Sequence, residues 1–79
     1  MNEDGTYVVG KDVQPGTYRT RGPVPGVVAD CHWSRLKDLS GTSSAVIDIG
    51  NENGQGFVTI QADDVAFKTS GCEPWQKMP

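Results

Sequence analysis

Glycine and proline interrupt this chain so often that no apolar run exceeds three residues. The 10 Gly and 5 Pro sit between the apolar clusters, where turns belong, and not in one low-complexity block. That punctuation excludes a membrane-spanning helix, which needs about 20 consecutive apolar residues. It leaves little room for any stable helix. The best helical window, Trp33 to Ser40, places Leu36 and Leu39 three apart, but Gly41 and a Thr-Ser-Ser run end it after a single turn. What such a chain can build is a set of short strands.

The strand segments are Thr6 to Val9, Thr17 to Thr20, Val27 to Leu36, Ala45 to Ile49, Phe57 to Gln61, Val65 to Thr69 and Cys72 to Lys77. Each is bounded by turn formers, and together they recur about every ten residues. This spacing predicts an all-β fold, a small β-sandwich or barrel of six to seven short strands. With 79 residues there is room for one domain, residues 1–79, and one modest core. Counting glycine with the 35% apolar residues brings the chain to the usual globular level of roughly 45–50%.

Alternation assigns faces within these strands. Cys31, Trp33 and Arg35 share one face, and His32, Ser34 and Leu36 the other. In the fourth segment Ala45, Ile47 and Ile49 are expected inward, with Asp48 toward water. The predicted core is Trp33, Ile47, Ile49, Val58 and Ile60. The turn cluster Gly50 to Gly54 makes a hairpin of Ala45 to Ile49 with Phe57 to Gln61 the simplest pairing. Val13 to Gly16 is expected to turn about Pro15 and Gly16. In the turn Ala62-Asp63-Asp64 the carboxylates are expected to cap and solvate the loop. Gly5-Thr6-Tyr7 recurs as Gly16-Thr17-Tyr18, an echo that marks two strand starts with the same turn chemistry.

Cys31 and Cys72 lie 41 positions apart, each just ahead of a tryptophan. A bridge over that interval contributes about 4 kcal/mol on the loop-entropy argument. That is comparable to the whole stability of so small a domain, so one disulfide is the expected use. Two buried free thiols in a cytosolic protein are the alternative. A metal site would have to add His32 and a carboxylate, with no CxxC and a single histidine, and no metal is expected.

Nothing in the residues points to catalysis. His32 is the only ordinary base near neutral pH, and Ser34 shares its face without any surrounding motif. The glycines do not have phosphate-loop or dinucleotide spacing, so no cofactor is expected. A core this small cannot surround a deep pocket. The formal charge of −3 is scattered along the chain, with no basic stripe for nucleic acid and no amphipathic helix for membrane insertion.

The aromatic residues suit binding better. Tyr7 and Tyr18, placed near one another on paired strands, are candidate contact residues, with coverage of the core edge as the alternative. Trp75 either locks the last strand or meets a partner. Trp33 is expected against the disulfide. The opening Met1-Asn2-Glu3-Asp4-Gly5 has neither a basic nor an apolar leader region. No signal peptide is expected in the chain as written, which is read as either part of a longer secreted precursor or a complete protein made in a cytoplasm.

The run Gly5 to Arg19, the cluster Cys31-His32-Trp33-Ser34-Arg35-Leu36 with Ser40-Gly41 after it, the strand Val58-Thr59-Ile60 and the stretch Ala66 to Cys72 occur here in one order. This series is similar to small domains of actinobacterial secreted proteins and lipoproteins, with related domains in proteins of actinobacterial phages. The chain departs from that pattern at His32, where an aromatic often precedes the Trp, and at Glu73-Pro74, where Gly-Thr is more usual. The resemblance implies an extracytoplasmic β domain with a Cys–Cys bridge and no particular activity. The expectation is a non-catalytic structural or binding module outside the cytoplasm, first of all a phage virion component such as a capsid decoration or tail protein. Alternatives are a cell-surface or secreted binding domain of an actinobacterium and a cytosolic protein-binding regulator or inhibitor. Its partner would be a protein or further copies of itself, as in a capsid or tail lattice.

Overall fold

A computed structural model describes residue 1, residues 3–26 and residues 30–79. The strands are β1 (Gly5–Val8), β2 (Gly16–Thr20), β3 (Cys31–Leu36), β4 (Val46–Glu52), β5 (Gly56–Ile60), β6 (Ala66–Ser70) and β7 (Gln76–Lys77). A single 3₁₀ turn, Ser43–Ala45, precedes β4. All strand pairings are antiparallel, and they form a four-stranded sheet, β1-β6-β3-β4, and a three-stranded sheet, β5-β2-β7. The start of the expected third strand, residues 27–29, lies outside the described residues.

The core lies where the two sheets face each other. Tyr18, Val58 and Ile60 come from the small sheet, and Cys31, Trp33 and Phe67 from the large one, with Val13 and Trp75 closing the cluster. Phe67 is its centre: the Trp33 ring stacks on it at 6.1 Å, and Trp75 meets it edge-on at 5.5 Å. Offset and edge contacts of this kind add to the burial energy because ring edges and faces carry opposite partial charge. Trp75 also donates from Nε1 to Thr69 Oγ1 at 2.9 Å, so its polar atom is satisfied inside the core. The disulfide joins Cys31, at the start of β3, to Cys72, on the segment that carries the chain from β6 toward the small sheet.

Several expectations are corrected here. β4 pairs with β3 and β5 with β2, so the expected hairpin between them does not form and its two strands lie in different sheets. Ile47 and Ile49 are not core: they are 45% and 68% exposed. The positions of β4 on the Trp33 side are Asp48, Gly50 and Glu52, opposite Arg35, Trp33 and Cys31, and Asp48 at the end of that row still meets water, as expected, with its side chain 54% exposed. A register irregularity between Arg35 and Leu36 pairs Leu36 with Val46, leaving Ile47 as the extra residue of a bulge. The alternating pattern cannot show this, because a shift of one residue exchanges the two faces. Gly50 suits its inward place for a reason of its own: a Cβ there would overlap the Trp33 indole. Glu52 accepts the Trp33 Nε1 proton at 3.3 Å.

Tyr7 and Tyr18 do not lie on paired strands. β1 pairs with β6 in the large sheet and β2 with β5 and β7 in the small one. The turn expected at Val13 to Gly16 comes earlier, where Lys11, Asp12 and Val13 donate backbone bonds to Val8 O, and Val13 itself is buried. The echo in the sequence does have a structural counterpart. Gly5 and Gly16 open their strands at φ 152° and 148°, a region that glycine alone enters freely. Tyr7 then donates to Glu3 O at 2.6 Å and Tyr18 to Gln14 O at 2.7 Å, each four residues back. The same brace is built twice, once in each sheet.

Candidate functional site

The outward face of the four-stranded sheet follows directly from the register. Three rows of side chains cross it. Ser70, His32 and Asn51 form the first; Thr6, Lys68, Ser34 and Ile49 the second; Val8, Ala66, Leu36 and Val46 the third. Polarity therefore falls along the strands, from an all-polar row through a row with one ammonium to an apolar row. The segment between β3 and β4 rises over the apolar end. It is held by the Lys37 N–H bond to Ala45 O at 2.8 Å and by a chain of hydroxyls running Ser40–Thr42–Ser44. Asp38 anchors it by accepting the Ser40 N–H, and the bonds from Ser40 hold its carboxyl below the usual aspartate range.

Between this segment and the sheet runs a groove of about 400 Å³ whose walls include Leu36, Leu39, Ala45 and Val46, with Ser34, Thr6 and Lys68 at its polar end. A smaller hollow of about 210 Å³ continues past Ser34 and Lys68 to His32 and Ile49. The first volume lies within the roughly 300–1,000 Å³ range of small-ligand sites. Three apolar side chains stand uncovered around it: Leu39 at 59%, Ile49 at 68% and Val46 at 37% exposed. A separate hollow of about 230 Å³ lies on the small-sheet side among Arg19, Arg21, Glu73, Pro74 and Gln76.

A sequence model of the family described as the Rv1352-like extracellular domain matches residues 1–76. The chain belongs to that family. Among similar proteins, the uncharacterized protein Rv1352 of Mycobacterium tuberculosis is 33% identical over 84 residues, which cover 95% of this chain and 68% of the relative. The uncharacterized protein Mb1387 of Mycobacterium bovis matches with the same figures. No solved structure matches. The Rv1352-like domain is thus an extracellular module of actinobacterial kind, and its cysteine pair is the bridge that such a setting permits.

The candidate contact aromatics fall elsewhere than on the groove. Tyr18 is 6% and Trp75 3% exposed, and both belong to the core of the domain. Burial raises the Tyr18 phenol above its ordinary pKa, which keeps it a proton donor to Gln14 O. Tyr7 is half-buried and packs on the same cluster. Trp33, Val58 and Ile60 are buried where the sequence put them. Asp63 and Asp64 do not act alike: Asp64 is buried and bound to Arg35 at 2.7 and 3.0 Å, while its Oδ2 also accepts the Gln61 N–H. The Arg35 hydrogen bond holds the Asp64 carboxyl below the usual range. His32 is exposed, with no side-chain hydrogen bond among the described residues, and no three of His, Cys, Asp and Glu among those residues converge as a metal site would require.

Lys68, Leu39 and Val46 escaped the sequence reading. The available signal was the alternation Ala66-Phe67-Lys68-Thr69-Ser70, which sets Lys68 opposite to Phe67 on its strand. No local pattern tells which neighbours a lysine gains across strands.

Proposed function

We propose that this Rv1352-like domain is a non-catalytic binding module of the actinobacterial cell surface or secreted space, and that it binds through the outward face of its four-stranded sheet. The observation that carries this reading is the groove itself: the domain leaves Leu39, Val46 and Ile49 uncovered around the groove and the hollow that continues it, while Tyr18, Trp33, Phe67 and Trp75 are spent on the core. Uncovered apolar side chains gathered at one cleft are a mark of binding surfaces, whereas scattered ones are ordinary. The non-catalytic part rests on His32, which stands exposed without an orienting carboxylate among the described residues. A capsid or tail role would also explain how a bridged domain reaches oxidising surroundings. The extracellular family supplies those surroundings without a virion, which favours the cell surface.

A photo-crosslinking residue at position 49, compared with one at Phe57 on the small sheet, tests the face. The domain is incubated with intact mycobacterial cells and irradiated. Discrete adducts from position 49 and none from position 57 are expected. Adducts only from position 57, or from neither, would overturn the reading.

A further inference from the structure

We infer that the groove on the four-stranded sheet binds a free single-chain fatty carboxylate, with the head group at Lys68 and the tail under Leu39; this rests on the binding face proposed above. The register makes the argument. Lys68 lies between Thr6 and Ser34 in the middle row, and the next row along the strands is Val8, Ala66, Leu36 and Val46. Of that row Leu36 and Val46 reach the groove, so a ligand lying along β3 meets hydroxyls and an ammonium at one end and these two aliphatic side chains at the other, with Gly41, Thr42 and Ser43 completing the lining. Leu39 and Ala45 wall the aliphatic end.

Charge selects the sign of the head group. The chain has ten acidic residues, yet no Asp or Glu lines either the groove or the hollow that continues it. Lys68 makes no ion pair among the described residues. An ammonium with hydroxyl neighbours and no internal counter-charge is complementary to a carboxylate. The shape argues for a single chain over a peptide. An extended peptide gains its affinity from main-chain bonds to a free strand edge, and this groove lies on the face of a sheet, where backbone groups are engaged in the ladder. The nearest free edge, that of β4, is partly closed, because Asp48 Oδ1 already accepts the Ile49 N–H at 2.9 Å. A groove of about 400 Å³ holds one acyl chain, not a bilayer fragment.

The test is a titration of the ¹⁵N-labelled domain with monomeric decanoate, then with decanol, followed by amide shifts. Saturable shifts at Thr6, Ser34, Leu36, Val46 and Lys68 are expected with decanoate, about fivefold weaker with decanol and with Lys68→Met, as loss of one partly desolvated ion pair of about 1 kcal/mol implies. Leu39→Asp should weaken decanoate further. Both variants alter exposed side chains, and their spectra report folding in the same experiment. Equal binding of decanoate and decanol, unchanged by Lys68→Met, would overturn the carboxylate inference and leave the groove as the binding face. Shifts confined to Arg19, Arg21 and Gln76 would overturn both. Absence of saturable shifts anywhere would overturn the inference alone, the face itself being decided by the crosslinking.

Discussion

Arg35 and Asp64 form a two-pronged ion pair across the end of the sandwich. Arg35 projects from β3 and Asp64 from the turn after β5, with Asp48 a looser third member at 3.7 Å. Each partner is defined by the other. The pair holds the Asp64 carboxyl below the ordinary aspartate value and raises the Arg35 guanidinium above its own. A carboxyl whose folded pKa is depressed contributes stability above its unfolded value, about 3.9, and that contribution is lost as pH falls toward the folded value. Asp64→Asn is expected to cost about 3 kcal/mol at neutral pH, because it strands a largely buried guanidinium. Urea unfolding of the two proteins across the acid range checks both parts: the difference should shrink below about pH 4. An unchanged difference there would refute the assignment. From the sequence Asp63 and Asp64 are alike, two acids in a polar turn, and only the arrival of Arg35 from a distant strand separates them.

At the level of elements, β4 is the strand whose orientation the sequence pattern mistakes. Its Trp33-facing side carries Asp48, Gly50 and Glu52: the Trp33 indole covers Gly50, Trp33 bonds Glu52, and Arg35 pairs loosely with the exposed Asp48. The isoleucines are thereby turned out. Ile49→Thr should therefore change stability by less than about 0.5 kcal/mol, as exposed substitutions do. Ile60→Ala, in the small sheet, should cost about 3 kcal/mol, since Ile60 is almost fully buried. Chemical denaturation of the two variants gives the comparison, and a large loss at position 49 would contradict the face assigned to β4. Most strand positions were legible, because β-branched and aromatic clusters between glycines are local signals, but the expected terminal strand Cys72 to Lys77 shrinks to Gln76–Lys77. Strand partners were not legible. Val46-Ile47-Asp48-Ile49 and Phe57-Val58-Thr59-Ile60 are adjacent in sequence, so a hairpin is the cheapest guess in loop entropy. The sandwich instead sends them to opposite sheets, and the domain gains two covered faces.

For the whole molecule, the bridge links the two layers of the fold. Cys31 begins the central strand β3, and Cys72 lies on the crossing from β6 to the small sheet, close to Trp75 at the core. Reduction releases a loop of 41 positions and should cost about 4 kcal/mol. For a domain of this size that lowers the melting temperature by more than about 15 °C. Calorimetry with and without a thiol reductant makes the measurement, and a shift of only a few degrees would show that the core alone holds the layers together. What the sequence by itself determined is what depends on neighbours along the chain: short strands between turn formers, the paired cysteines and the likeness to extracytoplasmic domains. Only the tertiary structure decided which side of β4 is covered, which aspartate is bound and where Lys68 lies. Side chains on a strand alternate with period two whichever way they face, and the choice is made by what packs across from them.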